Sequence, residues 1–190
     1  MEGRLIILGL ALILISIATI PVADCAYHSE TLPNVMKEKI TKLHFFLFDI
    51  LSGSKPSAVE VARANISKGD TSPTPFGSLF AIDDPLKDGP EATSKVIGNA
   101  QGLYVSSSSQ PGTLGLVMYV DFGFTTGKFK GSSFTVASRN PVTEGKRELA
   151  IVGGRGEFRM ARGFAKLNTY FLNTTNGDAI IEYHVTLIHY

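Results

Sequence analysis

The sequence predicts an all-β domain folded as an antiparallel barrel, and three observations predict it. Extended segments recur at spacings of about 8–12 residues or somewhat more. Clusters of Gly, Pro, Asn and Asp punctuate them, and no long amphipathic helix follows the N-terminal apolar run. Long strands favour a closed barrel over a sandwich, because closure leaves no edges to protect.

Residues 1–25 read as a secretory signal peptide. Met1-Glu2-Gly3-Arg4 precedes an unbroken apolar run, Leu5–Ile20, and small residues at Ala23 and Cys25 suit cleavage near Cys25 or Ala26. Cys25 is the sole cysteine, so the mature domain is expected to lack a disulfide and to rely on packing. Cleavage removes Arg4, Glu2 and Asp24 and leaves a net charge of +2. No basic stripe argues for nucleic acid. No later apolar run is long enough to span a bilayer, so no membrane contact is expected after cleavage. Asn65-Ile66-Ser67 and Asn173-Thr174-Thr175 are N-glycosylation sequons, which suits secretion.

Residues 26–42 form a polar lead-in broken by Pro33, with at most a short helix over Asn34–Lys42. The barrel domain is expected over 43–190. Its first strand, Leu43–Ile50, has two apolar faces: Leu43, Phe45, Leu47 and Asp49 on one, His44, Phe46, Phe48 and Ile50 on the other. Asp49 ends a greasy row, where an ionised carboxylate is expensive to desolvate. It either reaches water at a rim or is held in a pocket.

Ala58–Ala64 follows as a strand, then the loop Asp70–Gly77. Ser78–Ile82 is a strand stopped by Asp83-Asp84-Pro85, and Lys87–Thr93 is another loop. Val96–Ser106 precedes a flexible tip at Ser107–Gly112, and Leu114–Thr125 is long and apolar. Gly127–Lys130 turns into Ser132–Arg139, and Arg147–Val152 runs into Gly153-Gly154-Arg155-Gly156 before Arg162–Leu172. Asn176-Gly177-Asp178 is a hairpin signal. The last strand, Ala179–His189, puts Ile181, Tyr183, Val185 and Leu187 on one face and Glu182, His184 and Thr186 on the other.

Two tempting motifs fail. Gly154-Arg155-Gly156 lacks the third glycine of a phosphate loop, because Arg159 stands there, and no helix follows; it reads as a bulge or corner. His28, His44, His184 and His189 have no Cys or Glu at zinc-binding spacing, so no metal site is expected. What remains is a lumen of aliphatic and aromatic side chains with Asp49, several Tyr and Arg147, suited to a flat phenolic ligand.

The run Phe45–Ile50 with Asp49, Ile82-Asp83-Asp84-Pro85, Ala100-Gln101-Gly102-Leu103-Tyr104, Arg147-Glu148-Leu149 and Val152–Gly163 resemble the plant dirigent proteins, in order across Lys39–Tyr190. The resemblance implies an eight-stranded antiparallel barrel, usually a homotrimer, secreted to the apoplast and glycosylated, with no cofactor or oxidising centre. A separate laccase or peroxidase supplies phenoxy radicals, and the barrel holds them so that coupling yields one stereoisomer. Pocket acids then assist ring closure of the quinone methide. Asp49 matches the family's pocket acid, Tyr104 its pocket tyrosine and Arg147 its pocket arginine. Leu47, Phe45, Asn140, Ser106 and Ile181 are the expected substrate contacts.

This chain departs from lignan-forming members. Asn140 stands where they carry a second pocket acid, Ser106 where they carry a second tyrosine, and the disulfide is missing. The remaining single acid resembles the branch that includes pterocarpan synthases, which dehydrate isoflavanols through a quinone methide without a radical partner. The sequence therefore carries three readings: an auxiliary of radical coupling, a dehydratase, and a phenol-binding barrel without turnover.

Overall fold

The computed structural model describes residues 29–31, 33, 36–65 and 72–190. The expected signal peptide, and residues 66–67 of the first sequon, lie outside them. Nine strands follow one another: β1 Lys39–Asp49, β2 Ala58–Ala62, β3 Leu79–Lys87, β4 Val96–Ser106, β5 Gly115–Phe124, β6 Ser133–Pro141, β7 Arg147–Arg155, β8 Arg162–Leu172 and β9 Ala179–His189. All pairings are antiparallel, in the order β1-β9-β8-β7-β6-β5-β4-β3, and β1 returns to β3 through Phe46 opposite Lys87 and Leu47 opposite Leu86. Eight strands thus close a barrel. β2 is an extra strand on the stretch of β3 that β1 leaves free, with Ala58 opposite Ile82.

Three strands differ most from the sequence reading, and β2, β5 and β6 by one or two residues at an end. β1 begins at Lys39, within the segment expected to be helical, because its polar arm pairs by backbone with the end of β9, Lys39 opposite His189. β3 runs through Asp83-Asp84-Pro85 to Lys87. The Asp83 N–H points outward from β4 to the Ser57 carbonyl at 2.8 Å. Backbone donors alternate sides along a strand, so the donor missing at Pro85 would have faced the gap between β2 and β1 and removes no ladder bond. β7 continues to Arg155, past an irregularity where Val136 pairs with Ile151 but Thr135 with Gly153. The bulge falls at Val152, beside the glycine run, and Gly154 leaves room for the close approach of the Phe158 carbonyl, which a Cβ there would meet.

Alternation fills the lumen. Phe45 and Leu47, Phe80 and Ile82, Val120 and Phe122, Phe134 and Val136, Leu149 and Ile151, and Tyr183, Val185 and Leu187 are all buried. One end is sealed by aromatic rings: Phe122 stacks on Phe134 at 4.9 Å, and Phe158 meets Phe129 at 4.8 Å and Phe124 edge-on. On the outer face of β1, Phe46 meets Tyr170 edge-on and Lys87 lies over Phe48. This explains two apolar faces on one strand.

Candidate active site

At the end opposite the aromatic seal, the end of β1, the start of β7 and their neighbours enclose a cavity of about 200 Å³. Its wall includes Leu47, Ile82, Leu116, Met118 and Ile181, and its rim Pro73, Thr74, Leu172, Asn173 and Thr174. Into this apolar chamber project Asp49, Asp84, Tyr104, Asn140, Arg147 and Tyr183.

Each arrives by strand parity. Asp49 follows Phe45 and Leu47 on the inward row of β1, and Arg147 heads the inward row Arg147, Leu149, Ile151 of β7. Tyr104 is buried on β4 and stacks on Phe80 at 4.9 Å. Asn140 is the last residue but one of β6, buried, its amide donating to the Met118 sulfur at 3.2 Å. The structure thus brings Asp49, Tyr104, Arg147, Leu47, Asn140 and Ile181 to the lining of one cavity.

Two expected contacts lie outside its lining. Phe45 sits deeper, stacked on Tyr183 at 5.4 Å and packed among Phe122, Phe124 and Phe134, where it seals the floor. The buried Ser106 hydroxyl donates to the Thr74 carbonyl at 2.9 Å and ties down the strand-end loop. Asn173 lies at the cavity rim and Asn65 is exposed.

Asp84 is the residue the sequence reading missed, and it corrects the expectation of a single pocket acid. Reading Asp83-Asp84-Pro85 as a stop hid the row Ile82, Asp84, Leu86, which faces inward at 6%, 1% and 0% exposure. The Ser57 hydroxyl donates to Asp84 Oδ1 at 2.6 Å.

The electrostatics follow from burial. Desolvation pushes the Asp49 carboxyl up to about 7; the nearby Tyr104 hydroxyl opposes the rise and the Asp178 carboxylate adds to it. Asp84 is driven well above the ordinary carboxylate range, first by burial and then by the charge of Asp49, with the Ser57 hydrogen bond opposing. Burial raises both Tyr104 and Tyr183 beyond the ordinary phenol range, so they stay neutral. Arg147 is lowered by burial. Arg147 is 4% exposed, and its guanidinium donates to the Thr169 hydroxyl at 2.9 Å and the Val142 carbonyl at 3.3 Å, with no carboxylate among the described residues in salt-bridge range.

Among the described residues, five buried side-chain polar atoms lack a hydrogen-bond partner. Four of them, Asp49 Oδ1, Tyr104 Oη, Asn140 Oδ1 and Arg147 Nε, belong to residues of this cavity. Buried polar groups are ordinarily satisfied, and leaving one orphaned costs about 1–3 kcal/mol. Four at one place mark a site that reserves its donors and acceptors for a guest. The set can grip an aromatic ring between apolar walls, give and take protons at two carboxyls, and meet developing negative charge with a guanidinium.

The three histidines among the described residues lie elsewhere. His189 is buried beside Phe158, whereas His44 and His184 stand on the outer face with Glu182 between them. That trio is a grouping able to hold a metal ion, which corrects the expectation that no Glu stands beside a histidine at ligand spacing: Glu182 and His184 share a strand face, and the cross-strand register adds His44.

Comparison with known proteins gives a consistent set of relatives. Residues 40–188 match the sequence profile of the family described as dirigent-like protein. Dirigent protein 15 of Arabidopsis thaliana is 52% identical over 168 residues, spanning 87% of this chain and 88% of the relative. Pterocarpan synthase 1 of Glycyrrhiza echinata is 43% identical over 187 residues, spanning 96% and 95%. A solved structure of a pterocarpan synthase dirigent protein superimposes with a TM-score of 0.75 at 45% identity, covering 83% of this chain and 89% of that one.

Proposed function

Since this chain belongs to the dirigent-like protein family, we propose that its cavity binds a plant phenol and steers the stereochemistry of phenoxy-radical coupling, as in the formation of lignans from coniferyl alcohol. The observation that carries this reading is the second buried acid. With Asp49 and Asp84 in one chamber, the objection raised by Asn140 to a two-acid mechanism falls away.

The steps balance without an oxidising centre. A separate one-electron oxidase, a laccase or peroxidase, removes one electron and one proton from each phenol. Two radicals join by a carbon–carbon bond, and each coupled half becomes a quinone methide. A side-chain hydroxyl then attacks the methide carbon. One protonated carboxyl gives its proton to the quinone oxygen, which becomes a phenol again, while an ionised carboxyl takes the proton of the attacking hydroxyl. Two acids that discourage each other's ionisation suit this division, since one holds its proton while the other is free to accept. Arg147 stabilises negative charge on the oxygen as it develops, and Tyr104 positions the ring.

A second reading has its own support. A chamber of about 200 Å³ is below the usual range for drug-sized ligands and suits one bound molecule more closely than two phenols held together. One bound isoflavanol could be dehydrated there, one carboxyl protonating the leaving hydroxyl and the other taking the phenolic proton, as the similarity to pterocarpan synthases suggests. Under the coupling reading each barrel holds one radical, and the second arrives at the rim. Binding without turnover is the third outcome. Secretion to the apoplast, glycosylation at Asn65 and Asn173, and assembly as a homotrimer belong to the same proposal.

Oxidant dependence separates these readings. Coniferyl alcohol with a one-electron oxidant should give an unequal enantiomer ratio only when the protein is present. Racemic product would overturn the coupling reading for that substrate. Conversion of an isoflavanol without oxidant would establish the dehydratase instead.

A further inference from the structure

On the outer face of the barrel, β1 and β9 set His44 directly opposite His184. The two imidazoles stack with centroids 4.5 Å apart and planes 13° from parallel. Both aim Nε2 at the same carboxylate oxygen, Glu182 Oε1, at 2.8 Å from His44 and 3.1 Å from His184. Glu182 is two residues before His184 and therefore shares its face of the strand. Its other oxygen, Oε2, accepts a hydrogen bond from the Asn168 amide of β8 at 3.1 Å, which fixes the carboxylate's orientation.

The geometry points to a binding site for one divalent transition-metal ion of the zinc and copper class, held by His44 Nε2, His184 Nε2 and the Glu182 carboxylate on the barrel's outer wall. The three ligand atoms lie within 4.8 Å of one another. An ion about 2.0–2.2 Å from each donor would replace the two hydrogen bonds that now join the imidazoles to Glu182, at a solvent-facing position. Both imidazole side chains are half-exposed, at 50% and 49%, so an ion can enter and further positions stay open to water or a ligand. Two imidazoles with one carboxylate select zinc or copper over calcium or magnesium, which demand several oxygen ligands. Asn168 supplies the outer-shell support that ligating carboxylates usually have.

An ordinary surface ion pair needs one histidine per carboxylate; here two rings stack to reach one oxygen. Each imidazole must present a neutral Nε2 to the ion, so any proton there is released to solvent on binding. The charged neighbours are Lys42 on β1 and Lys166 on β8, the latter opposite His184, with Glu148 of β7 opposite Lys166. The two lysines oppose a cation and set a ceiling on affinity, although Lys166 Nζ is drawn over the Phe164 ring at 5.6 Å. The site faces away from the cavity, so this inference is independent of the chemistry proposed there.

The test is titration of the purified full-length mature chain with zinc chloride, and separately with copper sulfate, by calorimetry at about pH 7.5 in a non-chelating buffer. The expected result is one ion per chain. Affinity should fall by about tenfold or more in His44→Gln and in His184→Gln, and saturable binding should vanish in the double variant. Copper should also show nitrogen hyperfine structure in its electron paramagnetic spectrum that the double variant lacks. Unchanged circular dichroism confirms that these exposed substitutions leave the barrel folded. Absence of saturable binding up to about 1 mM ion, or one-to-one binding that survives the double substitution, would overturn the assignment.

Discussion

Asp49 on β1 and Asp84 on β3 reach one chamber from adjoining strands, and the charge of Asp49 makes Asp84 harder to ionise. Among the described residues neither has a cationic partner in salt-bridge range, and Asp49 Oδ1 lacks a hydrogen-bond partner. Under the proposed function the pair serves as a store of exchangeable protons.

Replacing either acid by its amide removes the proton but keeps the shape. Asp49→Asn and Asp84→Asn should each lower stereoselective product formation by about a hundredfold, the usual contribution of one positioned acid or base. Both variants should keep the wild-type circular dichroism spectrum. Product chromatography beside a melting curve checks this, and full activity in both variants would remove the acids from the mechanism.

Stability should fall as pH rises. In the unfolded chain Asp49 loses its proton near 4, whereas in the fold it keeps it until about 7. Between those values the folded state binds more protons than the unfolded one, so unfolding free energy declines with rising pH and levels off above the folded value. The contribution is fully present below the unfolded pKa and lost through the folded one. Denaturant melts from about pH 4 to pH 8 should show this slope; Asp49→Asn should reduce it, and the part that burial of Asp84 contributes should be lost only in Asp49→Asn/Asp84→Asn.

Arg147 is a buried guanidinium held only by neutral oxygens. Removing a charge in that position relieves desolvation that no ion pair offsets. Arg147→Met should raise stability by about 1 kcal/mol or more, a Tm increase of about 2–4 °C for a chain of this size, while product formation collapses. A stability gain with a function loss distinguishes a site residue from a packing residue.

The floor should behave in the opposite way. Phe122 is wholly buried and stacked on Phe134, so Phe122→Ala should cost about 3–5 kcal/mol by thermal or denaturant melting. Whatever protein remains folded should keep its stereochemical preference, because Phe122 is not part of the cavity wall.

Much of the barrel was legible because local chemistry sets strand ends. β4, β8 and β9 match the sequence reading at both ends, and Asn176-Gly177-Asp178 makes the β8–β9 turn, with Gly177 at φ +86°. Asp49 was legible as a carboxyl closing an apolar row. Asp84 was hidden by Pro85, which stops a strand only where its missing donor had a partner to lose. The Lys39–Lys42 arm was hidden because its pairing with β9 is a backbone matter that polar side chains do not advertise. The meeting of Asp84, Tyr104 and Arg147 depends on register between distant strands, and so does that of His44 with His184. No spacing along the chain encodes either one.

The central claim is that two buried carboxyls govern the handedness of a phenol's reaction inside this barrel. Its most direct measurement is the enantiomer ratio of coupled product from coniferyl alcohol and a one-electron oxidant, with wild type against Asp49→Asn/Asp84→Asn. The account predicts a strong excess of one enantiomer with wild type and a racemate with the double variant. An equal excess with both proteins would contradict it.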